Sequence, residues 1–205
     1  MRKLVSSILI LGLLISCGET KKNESKKEDK EVSKKKPAIE ALPSADYSSL
    51  LINYECGMDE AEVAKVLEIP ETDVSFAKYQ RPGACSFSIK GFGQNGLGDD
   101  TAIIWYLEEL GKTQVNKEIK SYLDDQVNNE EALGMGIDLA ETGDCYIARQ
   151  PMRGTVVIMN ANYDHWLVLS YSPKHMYKSR TPEQHAALGE KTISLANYLL
   201  EKHKK

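Results

Sequence analysis

The chain has 205 residues, 41% hydrophobic and 27% charged, which suits one globular domain and excludes wholesale disorder. A net charge of −4 and an isoelectric point near 5.7 argue against nucleic-acid binding, and no apolar run reaches the roughly 18 residues of a membrane-spanning helix. Residues 1–38 carry 10 Lys/Arg against 5 Asp/Glu and residues 39–205 carry 16 against 25, so a basic leader precedes an acidic body.

Arg2 and Lys3 open the chain, and Leu4–Ser16 is an apolar stretch of 13 residues. That is the length of a signal-peptide core. It ends in Leu14-Ile15-Ser16-Cys17, which resembles the lipobox of bacterial lipoproteins: a branched apolar residue three before the cysteine, then small or neutral residues. The resemblance implies cleavage before Cys17, a diacylglyceryl thioether on its sulfur and an acyl chain on its new amine. Each buried methylene adds about 0.8 kcal/mol, so two or three chains hold a protein at a bilayer essentially permanently. The membrane is therefore the expected partner, through Cys17. In lipoproteins of two-membrane bacteria an Asp after the cysteine often signals inner-membrane retention. Gly18 stands there instead, so the expected location is the outer membrane, facing the periplasm.

Residues 1–16 are thus read as the signal peptide, 17–45 as a lipidated tether and 46–205 as the globular domain. The tether is rich in Lys and Glu with few apolar positions, too few to offset the entropy of ordering it. As a flexible coil it would span roughly 30 Å.

In the body, Asp59 with Glu62 three residues on predicts a capping box, and Val63, Val66 and Leu67 follow at helical spacing until Pro70. Val74 and Phe76 precede the turn Arg81-Pro82-Gly83; Cys85, Phe87 and Ile89 then alternate with polar residues as a half-buried strand. After a Gly-rich loop, Thr101–Leu107 predicts another strand. Val115, Ile119, Tyr122, Leu123 and Val127 form the stripe of an amphipathic helix. Strands are expected at Cys145–Gln150, Thr155–Asn160 and His165–Tyr171, separated by turns. Thr181, Pro182 and Gln184 predict the capped start of a last helix of about 20 residues. The expected fold is α+β: a single antiparallel β-sheet with helices packed on one face, in the order α-β-β-β-α-β-β-β-α.

Cys56 before the first helix, Cys85 on a strand after the hairpin turn, a Gly/Asp-rich lead from Gly134 to Tyr146, a two-strand hairpin and a long final helix follow in order. This order resembles small bacterial envelope lipoproteins of unknown function, similar in fold to the PsbP-like class, over roughly residues 54–203. The resemblance implies a helix-backed antiparallel sheet and a binding or assembly role rather than catalysis. Cys145 departs from the pattern. With Cys17 lipidated, Cys56, Cys85 and Cys145 remain, an odd number in an oxidising compartment. Cys56–Cys85 is the preferred disulfide, Cys85–Cys145 is the rival, and three reduced thiols are the plain alternative.

Motifs for chemistry are weak. Gly91-Phe92-Gly93-Gln94-Asn95-Gly96 fits G-x-G-x-x-G, but a strand rather than a helix follows it, and Asp99 and Asp100 would repel a phosphate. Those aspartates lack calcium-loop spacing. His165, His175, His185 and His203 lack zinc spacing, and Asp164-His165 has no serine in a nucleophile setting. Tyr163, Trp166, Tyr171, Trp105 and Tyr106 are candidates for a ligand groove, with core packing the plainer reading. No cofactor, metal or catalytic residue is expected. The expectation is a lipid-anchored, non-enzymatic envelope module that binds a protein or small molecule; the alternative is an envelope hydrolase without a recognisable motif.

Overall fold

The computed structural model describes residues 42, 45–133 and 135–205. The expected signal peptide, the lipobox-like segment with Cys17 and the expected tether apart from Leu42 and Ala45 lie outside the described residues.

At the start of the body, Asp46 and Lys205 exchange backbone hydrogen bonds, Asp46 N to Lys205 O at 3.3 Å and Lys205 N to Asp46 O at 3.2 Å. A single helical turn, α1 (Ser48–Leu51), buries Leu50 and Leu51; it has no sequence signal of its own. α2 (Glu60–Leu67) is capped by the Asp59 side chain, which accepts from Glu62 N as expected. The reciprocal half of the capping box is absent. The Glu62 carboxylate instead accepts from Tyr198 OH and Lys202 Nζ, because tertiary partners offered stronger, charge-assisted bonds. The helix ends before Pro70, at Glu68, which adopts the left-handed conformation with φ 51°.

The strands are β1 (Val74–Phe76), β2 (Ala84–Gln94), β3 (Asp100–Glu109), β4 (Gly136–Leu139), β5 (Tyr146–Gln150), β6 (Thr155–Met159) and β7 (His165–Ser170). Two long helices flank the strands: α3 (Lys112–Leu133) between β3 and β4, and α4 (Pro182–His203) after β7. All strand pairs are antiparallel, in the order β1-β2-β3-β7-β6-β5-β4. The α+β class and the single antiparallel sheet therefore stand as expected.

Two details differ. The second half has four strands, because Gly136–Leu139 pairs with β5 through Ile137↔Ala148 as an edge strand. The helices also do not share one face. The chain leaves β3 at the sheet centre and returns at its far edge, and α3 makes that crossing over the opposite face. The alternation of β5 and β6 records the division: Ile147, Val156 and Ile158 pack with residues of α1, α2 and α4, whereas Tyr146, Ala148, Val157 and Met159 pack with Val115, Ile119 and Tyr122 of α3. A period-2 strand buried on both faces needs a cover on each. The larger core holds Phe87, Ile103 and Trp105 from the β2–β3 hairpin, with Leu188, Leu195 and Leu199 from α4.

Candidate functional site

α4 spans the body, and its two ends are built differently. At its N-terminus the predicted cap forms: Thr181 Oγ1 accepts from Gln184 N at 3.2 Å, and the Gln184 side chain accepts from Thr181 N at 2.8 Å. Pro182 opens the helix, so His185 projects one turn in, beside the segment 171–181 that follows β7.

That segment is held down by Arg180, which is only 2% exposed. Its Nε donates to Phe92 O at 3.0 Å, its Nη1 to Tyr171 O at 3.1 Å and Ser172 O at 2.8 Å, and its Nη2 to Thr101 Oγ1 at 2.9 Å. The guanidinium also stacks 4.2 Å from the centre of the Tyr177 ring. Gly93 permits the approach: its φ is +92°, and a Cβ there would lie 2.8 Å from Arg180. The hydrogen-bond partners of Arg180 are carbonyl oxygens, a hydroxyl and an imidazole nitrogen. No carboxylate forms a salt bridge with it among the described residues, and burial pushes its pKa below the usual arginine value. His185 completes the floor. Its Nε2 donates to Pro151 O at 2.8 Å, which leaves Nδ1 to accept from Arg180 Nη1 at 3.3 Å.

Two cavities meet at Pro151 and His185. One, of about 310 Å³, runs along α4 past Val156, Tyr171 and Ile193, with Arg149 and Glu190 in its wall. The other, of about 510 Å³, has Met152 and Tyr177 as walls, and Lys174, His175 and Lys178 at its edge above Arg180. Lys174, His175 and Lys178 are exposed.

At the opposite end of α4 the charges are paired. Asp144, 1% exposed, accepts from Tyr47 OH and Thr142 Oγ1, each at 2.7 Å, and faces Lys204 Nζ at 3.1 Å. Burial alone would raise its pKa; the bonds from Tyr47 and Thr142 with those from Lys204 outweigh it, so the carboxyl lies below its ordinary value. Cys145 is unpaired and fully buried beside it, and burial pushes its thiol up to about 12. Such a thiol is protonated and unreactive at neutral pH. Cys56 and Cys85 lie at disulfide distance with Cα atoms 5.3 Å apart. Tyr54 OH donates to the Cys85 sulfur and accepts from Trp105 Nε1, and the Tyr54 ring lies 5.8 Å from that of His203. This end is a cross-linked closure.

The remaining candidates scatter. Asp164 Oδ1 lies 2.6 Å from His165 Nδ1, but among the described residues no serine hydrogen-bonds to the pair. Ser179 instead accepts from Gln94 N. The Gly91–Gly96 stretch continues β2 through Gln94, with an irregular register after Ile89, before turning at Asn95, whose side chain bonds Asp99. The aromatic candidates do not gather in one groove: Trp105 is in the core, Tyr163 OH accepts from Tyr47 N, and Trp166 donates to Glu108, whereas Tyr171 lines the 310 Å³ cavity. His175 and His185, read separately in the sequence, come together at the basic cleft. Arg180 was missed; the signal that could have found it is the cluster Lys174, His175, Lys178 and Arg180 in an acidic body. Comparison with protein-family models, with curated proteins and with solved structures finds no match.

Proposed function

We propose that the protein is a lipid-anchored cell-envelope module that binds rather than transforms its partner. Acyl chains on Cys17 hold it at the outer membrane, and residues 17–45 leash the folded body. The observation that carries this reading is the short apolar stretch ending in Leu14-Ile15-Ser16-Cys17 directly after Arg2 and Lys3. Among the described residues no helix is long and apolar enough to cross a membrane. A binding role is supported by the make-up of the basic cleft. Its inner groups, buried Arg180 and half-buried His185, are committed to backbone carbonyls and to each other, and Lys174 and Lys178 at its edge are exposed cationic donors. The resemblance of the element order to small envelope lipoproteins of unknown function, similar in fold to the PsbP-like class, would imply a binding or assembly part.

The test is the mass of the mature protein from a bacterial host. The expected first residue is Cys17, carrying a diacylglyceryl group and an N-acyl chain, with label from palmitate incorporated. Cys17→Ala should abolish labelling and leave the precursor uncleaved or free of the membrane. An unmodified N-terminus at another position rejects the anchor.

A further inference from the structure

The residues between 145 and 182 include Arg149, Arg153, Lys174, Lys178 and Arg180 against a single acidic residue, Asp164. This stands out against residues 39–205 as a whole, which carry nine more acidic than basic side chains. The fold concentrates the excess: Lys174, Lys178 and His175 ring the 510 Å³ cavity, with Arg180 at its base. Carboxylates stand nearby, Glu183 beside Lys174 and Glu190 in the adjoining cavity, but neither lines this one.

Arg180 makes the cleft more than a run of surface lysines. Its donors meet neutral carbonyls and a hydroxyl, so its charge is solvated by dipoles but not cancelled. A desolvated, uncancelled cation under a concave surface focuses positive potential into it. The same bonds constrain the ligand. Four of the five guanidinium N–H groups are already used, so Arg180 has no fork left for a planar carboxylate. Recognition falls to the two ammonium groups and the imidazole at the edge, which act as separate point donors and suit a tetrahedral group with several charged oxygens. The cavity is also far larger than a bare ion, since a water occupies about 30 Å³. Met152 and Tyr177 offer the remaining wall to an organic part.

We propose that this cleft binds a phosphomonoester: Lys174, Lys178 and His175 close on the phosphate oxygens above Arg180, and the organic portion lies against Met152 and Tyr177. The proposal rests on reading the body as a binding module, and it is independent of whether Cys17 is acylated. The phosphate has two possible sources, a soluble metabolite or the headgroup of phosphatidic acid in the membrane.

The experiment titrates the full chain, reconstituted in phosphatidylcholine vesicles, with glycerol 3-phosphate by calorimetry, and repeats it with phosphatidic acid added to the vesicles. Saturable binding is expected. Lys174→Glu with Lys178→Glu, both exposed, should weaken it by about tenfold or more, whereas Lys112→Glu with Lys117→Glu on α3 should leave it unchanged. Competition by phosphatidic acid assigns the headgroup as a source; its absence assigns the soluble ester. No saturable heat with wild type, or equal weakening by both double variants, overturns the proposal. The mass of Cys17, read on the same preparation, reports separately on the anchor.

Discussion

The two ends of α4 treat buried charge in opposite ways. At the C-terminal end each buried or half-buried charge has a counter-charge: Asp144 meets Lys204, Glu62 meets Lys202, and the Cys56–Cys85 pair ties down the chain before α2. At the N-terminal end Arg180 is just as deeply buried but is surrounded by carbonyl and hydroxyl oxygens. Neutral partners satisfy the hydrogen bonds of a cation without cancelling its charge. The first arrangement closes the structure, and the second leaves a net field for something outside the chain to neutralise. The paired charges and the proposed binding cleft thus lie at opposite ends of one helix.

Four variants bear on this contrast. The largest effect should come from Cys56→Ser. Opening a disulfide that closes a separation of 29 residues should cost about 3.5 kcal/mol in the chain-entropy model. Urea unfolding with and without reductant checks it: wild type should lose stability on reduction and the variant should not, while ligand binding at the far end persists. Next, Arg180→Met strips donors from Phe92, Tyr171 and Ser172 carbonyls and should cost about 3 kcal/mol, read from the urea midpoint. A much smaller loss would mean that the guanidinium is not part of the framework. Asp144→Asn should cost about 1–2 kcal/mol at neutral pH, since it keeps an acceptor but loses the charged bonds. Because the folded carboxyl lies below the ordinary 3.8, its contribution is fully present above that value and is lost as pH falls through the lower, folded one. The variant's stability should therefore decline less steeply than wild type below pH 4, as followed by circular dichroism. The smallest effect belongs to Thr181→Ala, which removes one cap bond and should cost about 1 kcal/mol, visible as a lowered thermal midpoint.

Local chemistry was legible in the sequence. The cap at Thr181, the alternation of Cys85, Phe87 and Ile89, the turn around Gly154 and the stripe of α3 all express rules that act over a few residues. What escaped depends on distance along the chain. β4 is four residues at an edge, too short to show a period. The stripe of α3 says that one side is buried but not which sheet face buries it; that follows from the crossing to the far edge. The Glu62 carboxylate left its expected cap for Lys202 and Tyr198, well over a hundred residues on. The cleft was hidden for the same reason: Arg180 reaches back to Phe92 and Thr101, so its burial is a product of the assembled sheet. Only the clustering of cations between 174 and 180 was there to be read.

The reciprocal bonds between Asp46 and Lys205 bring the two extremities of the body together. The described body from Asp46 to Lys205 is therefore nearly a closed ring, and the fold itself does not require the chain to open between those two residues. A short bridge across that junction, with a new opening at Leu97 (88% exposed in the β2–β3 turn), should give a permuted chain with the same architecture. Were residues 17–45 the lipidated tether proposed above, it would then join the body at the β2–β3 turn, turning the cleft about with respect to the membrane.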